Sequence, residues 1–417
     1  MKLIELTKAN AEKLLADRRR RELAAEGVAA RILADVRRRG DAAVLRWTRR
    51  LDGLRLEPAT LWVAKGECEA ARREASRKFL HAVEHAVRNI RRVAERQMPR
   101  PWNLEVEPGV HVGQRVEPLE VIGCYVPGGR FSLVSTLLMT TLPAQVAGVR
   151  QIVVTCPRPN PAFLAAADLL GVHQIARVGG AQAIGAMAYG TESFPQVDKI
   201  FGPGNRYVTA AKRLVSAECA IDLAAGPTEV LIVAARGKPR LIAADLIAQA
   251  EHDADAVALF VTTSPRLARA VREEVARQLR AFPASNPAWR SLKRNGAILL
   301  APDLEVAARF ANRFAPEHLA LPGGEPALLA KIRSAGSVFL GPWSAQPIGD
   351  YASGANHVLP TAGWARSRGG LSASDFVKCS SVQRISRKGL RRLAPVVATL
   401  AEAENLAAHA WAVEVRR

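Results

Sequence analysis

The sequence predicts an α/β protein with two doubly wound, mostly parallel sheets and helical segments at both ends. Short β-branched runs alternate with helical segments from residue 119 onward, the pattern of βαβ units. The alternation starts again near residue 229, which asks for two modules. The length of 417 residues agrees, because a domain usually holds roughly 100–200 residues.

Before the first strand, apolar residues fall at helical spacing among many charges, predicting helices over 11–23, 28–48 and 69–96. The first module sets strands at 120–126, 151–156, 174–178 and 199–201. Helices at 135–147, 161–170, 181–189 and 206–217 separate and follow them. The second module sets strands at 229–234, 256–262, 296–300 and 337–340, with helices at 239–251, 265–281, 304–314 and 326–334. No close sequence repeat relates the two series. Residues 341–375 are rich in Gly, Ser and Pro and read as irregular, and loops that long are usually functional or disordered. A helix over 389–413 closes the chain.

Charge and cysteine usage narrow the function classes. Lys and Arg exceed Asp and Glu by 59 to 39, a net charge of +20. The arginine clusters at 18–21, 37–39, 91–92 and 391–392 are dispersed, and no aromatic residues interleave with them as a base-stacking platform requires. Solvated helix faces explain them, so no nucleic-acid partner is expected. Five cysteines without a CxxC pair argue against a disulfide framework or a cysteine zinc cluster and suit a reducing cytoplasm. The N-terminus lacks a signal peptide's apolar core, and no run approaches the roughly 18 apolar residues of a membrane helix. A cytoplasmic protein with no membrane partner is expected.

Four pairs of residues carry potential chemistry. Gln249 and His252 lie three apart in a helical segment, which would set both on one face for metal chelation or leave both solvated at a helix end. Glu317 and His318 are adjacent in APEHL, where a carboxylate and an imidazole can work as a general base pair or finish a helix. Asp350 and His357 sit among glycines in GDYASGANH, as a shaped binding loop or as turn formers. Glu404 and His409 are five apart on the expected last helix and so do not share a face. Gln249, His252, Asp350 and His409 together are nitrogen and oxygen donors that Zn2+ accepts.

Three glycine-rich segments, starting at Tyr125, Val178 and Phe201, each follow a predicted strand and precede a helix. Such turns bind ligands at the carboxyl edge of parallel sheets, and the helix N-termini favour phosphate. The dinucleotide fingerprint is not intact: Gly202 and Gly204 fit its first two positions, but Tyr207 stands at the third. From the residues alone, nucleotide binding and simple tight turns stay equally open.

These motifs resemble the histidinol dehydrogenase family. The likeness runs from about Val28 to the end, through YVPGG, GGAQAI, DKIFGPGN, AGPTEVL, DLIAQAEH, APEHL, GDYASGANHVLPT and the terminal E-x-x-x-x-H. The resemblance implies zinc ligands Gln249, His252, Asp350 and His409, one Zn2+ per subunit, and the catalytic acid–base pair Glu317 and His318. It implies substrate contacts from Thr228, His318, His357 and Glu404 along with the zinc ligands. NAD contacts would come from Tyr125, Gln182 and Asn205. Thr228 stands where the family commonly has serine.

The implied fold has two Rossmann-like domains with small terminal segments in an intertwined homodimer with shared active sites. Its division is 1–19 as a dimerisation segment, 20–124 with 235–371 as the zinc and substrate domain, 125–234 as the NAD domain, and 372–417 reaching the partner subunit. The implied activity is oxidation of L-histidinol to L-histidine through bound L-histidinal with two NAD reduced. The alternative is a paralogous zinc- and NAD-dependent dehydrogenase of another small polar alcohol. The chemistry asks for a neutral His318 near pH 7 to take the alcohol proton and for Glu317 to activate water.

Overall fold

The computed structural model describes residues 1–20, 25–128, 132–223, 226–324 and 326–417. Its strands in chain order are β1 (Lys2–Glu5), β2 (Trp102–Glu107), β3 (Val110–Pro118), β4 (Val121–Tyr125) and β5 (Gln151–Thr155). There follow β6 (Ile175–Ala176), β7 (Lys199–Phe201), β8 (Ala220–Ile221), β9 (Glu229–Val233) and β10 (Val257–Thr262). The last are β11 (Ala297–Leu300), β12 (His318–Leu321), β13 (Ser337–Leu340) and β14 (Val377–Ile385).

Two parallel sheets form as expected, in the orders β6-β5-β4-β7-β8 and β1-β11-β10-β9-β12-β13. Their strands read as continuous apolar runs because both faces are covered by helices. In β9 the alternation is visible within one strand: Val230 and Ile232 pack into one core, Leu231 and Val233 into the other.

The first strand of the five-stranded sheet in chain order, β4, pairs with β5 on one side and β7 on the other. The winding therefore reverses between β4 and β7, and this is where an open α/β sheet leaves a crevice at its carboxyl edge. The second sheet reverses likewise between β9 and β12.

The helices differ from expectation in their ends and in their partners. The helix expected over 11–23 runs as Lys8–Arg20, with 21–24 outside the described residues. The one expected over 69–96 is two helices, Lys65–Glu74 and Arg77–Gln97. The second starts where Ser76 accepts a hydrogen bond from Phe79 N at 3.2 Å. Helix Glu26–Asp52 kinks at Gly40, whose φ of 47° is open to glycine and costly for other residues.

Two of the N-terminal helices pack on the five-stranded sheet. Ile32, Leu33 and Val36 of helix Glu26–Asp52, and Val83, Ala86 and Ile90 of Arg77–Gln97, share cores with strands of the five-stranded sheet. Strand β1 forms the edge of the six-stranded sheet beside β11. An apolar helical stripe or edge strand records that it must be covered but not which sheet covers it.

A third sheet, β14-β3-β2, is antiparallel and has no counterpart among the expected strands. It and the helices Arg387–Ala403 and Ala407–Glu414 leave Trp102, Leu104, Val382, Leu400 and Trp411 exposed. No helix among the described residues is long and apolar enough to cross a membrane.

Asp245, half-buried on helix Pro239–Ala250, yields a stability prediction. Burial pushes its carboxyl up to about 6. The unfolded chain ionises this group near pH 4 while the folded chain holds its proton, so folding loses free energy as pH rises from about 4 to about 6. Asp245→Asn removes the loss. Thermal denaturation should show it stabilised by about 1–3 kcal/mol at pH 7.5, with the carboxyl's cost gone at pH 3.5–4.

Candidate active site

Adjacent parallel strands bring the first cluster together. β9 and β12 pair with His318 opposite Val230, so the residues entering the two strands lie side by side. Helix Leu304–Phe314 ends at Ala315 in the left-handed region (φ 46°), which turns the chain so that His318 begins β12. Glu317 Oε2 accepts from the Thr228 hydroxyl at 2.6 Å and from Glu229 N at 2.7 Å. His318 Nδ1 donates to Glu229 O at 3.0 Å, which leaves Nε2 buried, without a hydrogen bond and 3.6 Å from Asp350 Oδ1. Gln249 Nε2 donates to the Thr228 hydroxyl, and Gln249 Oε1 is buried with no hydrogen-bond partner.

Asp350 comes from the stretch expected to be irregular, which contains a short helix, Gln346–Tyr351. Gln346, one turn earlier, donates to Asp350 Oδ2 at 2.9 Å; the sequence reading passed it over, although the i,i+4 spacing was there to find. The loop beyond is tied to the other sheet's helices. Asn89 donates to Ala352 O at 2.8 Å, Asn356 donates to Met139 O at 2.7 Å, and Gly354 (φ 94°) lies against the Asn89 carbonyl, leaving no room for a Cβ. His357 Nδ1 donates to Asp350 O at 2.9 Å, so Nε2 accepts from the Thr136 hydroxyl at 3.2 Å. Thr136 is 221 residues away in sequence and carried no signal.

The electrostatics set the proton affinities of the cluster. Burial disfavours the His318 cation, but the nearby Glu317 and Asp350 carboxylates, 3.5 and 3.6 Å away, outweigh it and push the imidazole up to about 10. These neighbours pull the His318 imidazole toward its protonated form. Burial works against the Asp350 carboxylate, yet the His318 imidazole, with His357 and His252 beyond it, holds it below its usual range. Burial keeps His357 below the ordinary histidine value, against the pull of Asp350.

Three expected placements differ. Helix Pro239–Ala250 stops before His252, so Gln249 is buried in the last turn while His252 is exposed in the turn beyond. Glu404 and His409 lie on either side of a break at Asn405 (φ 59°), between two helices and not within one. Both are exposed, and no side-chain hydrogen bond joins them to the cluster. Among the described residues, no three His, Cys, Asp or Glu side chains stand together as a metal cluster.

The three glycine-rich turns meet on the five-stranded sheet. Tyr125 ends β4, and its buried hydroxyl accepts from Gly180 N at 3.2 Å. Gln182 is fully buried; it donates to Asp52 Oδ2 at 3.1 Å and its Oε1 has no partner. Asn205 caps helix Arg206–Val215 just beyond β7, accepting from Tyr207 N at 3.0 Å and Val208 N at 3.2 Å. Tyr125 and Asn205 thus flank the winding reversal. Gly129, which closes the Tyr125 turn, and Ala225, which opens AGPTEVL, lie outside the described residues.

Comparison with known proteins decides what this arrangement belongs to. The histidinol dehydrogenase family model matches residues 16–417. The chain belongs to the histidinol dehydrogenase family. A histidinol dehydrogenase of Methanosarcina barkeri is 45% identical over all of this chain and 97% of its own length. That of Geobacillus kaustophilus is 48% identical over 92% of each. The crystal structure of histidinol dehydrogenase from Elizabethkingia anophelis superposes with a TM-score of 0.92 at 36% identity, covering 100% of this chain and 98% of that one. As a histidinol dehydrogenase relative over its full length, the chain is an oxidoreductase, and the family assignment places it at histidinol oxidation in histidine biosynthesis.

Proposed function

We propose that the chain carries out both oxidations from L-histidinol to L-histidine, with two NAD reduced and one Zn2+ bound per subunit. The observation that carries this reading is the buried Glu317–His318 pair, clamped by Thr228 and Glu229 beside Asp350 and the unpartnered Gln249 oxygen. The first oxidation moves a hydride from the alcohol carbon to NAD and its hydroxyl proton to a base. The resulting aldehyde adds water, and a second hydride then leaves the hydrated carbon to give the carboxylate.

His318, whose buried Nε2 makes no hydrogen bond, is the base in both steps once it has released its own proton. Glu317, anchored through Oε2, is placed to take the proton of the attacking water. Zinc fits the donors: the Gln249 oxygen, Asp350 and His252, with His409 supplied by a second copy. When bound it would orient the substrate nitrogens. Engaging Asp350 in this way would also weaken the charge that holds the His318 proton.

Tyr125, Gln182 and Asn205 at the carboxyl edge of β4 and β7 would hold NAD, and Thr228, His357 and Glu404 would contact histidinol. A homodimer with exchanged C-terminal segments accounts for the exposed Leu400 and Trp411 (60% and 69%) and for His409 lying away from its own cluster. A cytoplasmic setting suits the free cysteines, of which Cys68, Cys124, Cys156 and Cys219 are buried.

Two NADH formed per L-histidinol consumed, with histidine as product, is the expected result; one NADH with accumulating aldehyde would overturn the reading. His252→Ala should lose zinc along with activity while keeping its circular dichroism, because ligand changes cost about 10- to 100-fold or more in affinity. Full zinc by elemental analysis in that variant would remove His252 from the ligand set.

A further inference from the structure

Among the described residues, one almost wholly buried ion pair lies outside both clusters. Lys212 and Asp222 form a salt bridge with side chains only 2% and 0% exposed. Both spend their hydrogen bonds on one glycine. Lys212 Nζ donates to Gly202 O at 2.8 Å, and Asp222 Oδ2 accepts from Gly202 N at 2.7 Å. Asp222 Oδ1 also accepts from Leu223 N, and Asp222 N donates to Ile200 O at 3.0 Å.

Gly202 is held at φ 112°, and a Cβ there would run into the Tyr125 carbonyl. It opens the turn that ends at Asn205, whose helix carries Lys212. The pair therefore closes a ring: strand end, strained glycine, capping asparagine, helix, lysine and back to the glycine. A buried ion pair is weak evidence for stability, because apolar residues of similar volume often serve as well. What this one does specify is the position of Gly202 and Asn205 against Tyr125.

We infer that Lys212 and Asp222 are positioning residues for the dinucleotide, fixing the backbone of the 201–205 turn against Tyr125 at the point where the winding of the sheet reverses. The inference rests on reading that turn as the NAD site. Misplacement of binding groups by about 1 Å can cost up to about 10²-fold. The effect should fall on NAD and spare histidinol, since Thr228 and His318 lie at β9 and β12 of the other sheet.

The test is the charge-free double variant Lys212→Met/Asp222→Asn, which avoids stranding either buried charge, measured beside Asn205→Ala. The double variant should raise the KM for NAD by about tenfold or more, with kcat at saturating NAD and the KM for histidinol within about twofold of the parent. Should it fold poorly, Lys212→Gln/Asp222→Asn, which is likewise charge-free, is measured against the same expectation. An unchanged KM for NAD, or equal losses in every constant, overturns the inference. Asn205→Ala judges the underlying reading separately: a raised KM for NAD upholds the site whatever the pair does. An unchanged one removes the site, and the inference with it.

Discussion

Glu317→Gln should form its first NADH at close to the parent rate and its second about 10²- to 10⁴-fold more slowly, the usual size of a general-base contribution. Glutamine keeps the length of the side chain, and its amide oxygen still accepts from Thr228 and Glu229 N, where Glu317 Oε2 accepts now at 2.6 and 2.7 Å. What disappears is basicity, which only the water-adding step requires. The charge that raises His318 disappears too, so the pH profile of the first step should shift toward acid, because a less-held proton leaves at lower pH. His318→Gln, by contrast, should slow both steps. Single-turnover NADH formation from histidinol, compared with turnover of supplied histidinal, reads the two apart. Equal slowing of both steps by Glu317→Gln would show that the carboxylate acts through His318 or through structure alone.

Mixing two inactive chains should restore histidine formation. His409→Ala keeps an intact Glu317, and Glu317→Gln keeps an intact His409. If the C-terminal segment serves the neighbouring subunit, a mixed dimer holds one complete site and one lacking both groups. Each parent variant alone has two damaged sites, so recovery after co-refolding starts from a background lowered about 10²-fold or more. The exposure of His409 on the last helix, with no hydrogen bond to Gln249, Asp350 or His318, motivates the experiment. Mixed dimers that form and stay inactive would mean that each site is built from a single chain.

Much of this could be read along the chain. Parallel strands buried on both faces must be apolar throughout, so β9 and β10 stood out as unbroken runs. Glu317 and His318 were legible because adjacency in sequence already places them together. The antiparallel sheet was not legible: β3 pairs with β14 across more than 250 residues, and its alternating, charged, half-exposed strands resemble loops. The end of the helix before His252 and the break at Asn405 were also missed, since each depends on local turn geometry more than on apolar spacing.

The sequence by itself determined the class of the fold, the number of parallel sheets and the side chains able to do chemistry, because apolar period and donor type are local properties. Only the tertiary structure decided which sheet the N-terminal helices cover and that Thr136 and Asn89 hold the loop bearing Asp350 and His357. It also decided that His318 is pulled toward its protonated form, since that pull depends on the Glu317 and Asp350 carboxylates meeting it at one point in space. Such effects fall off within a few ångströms, and closeness between distant residues exists only once the chain has folded.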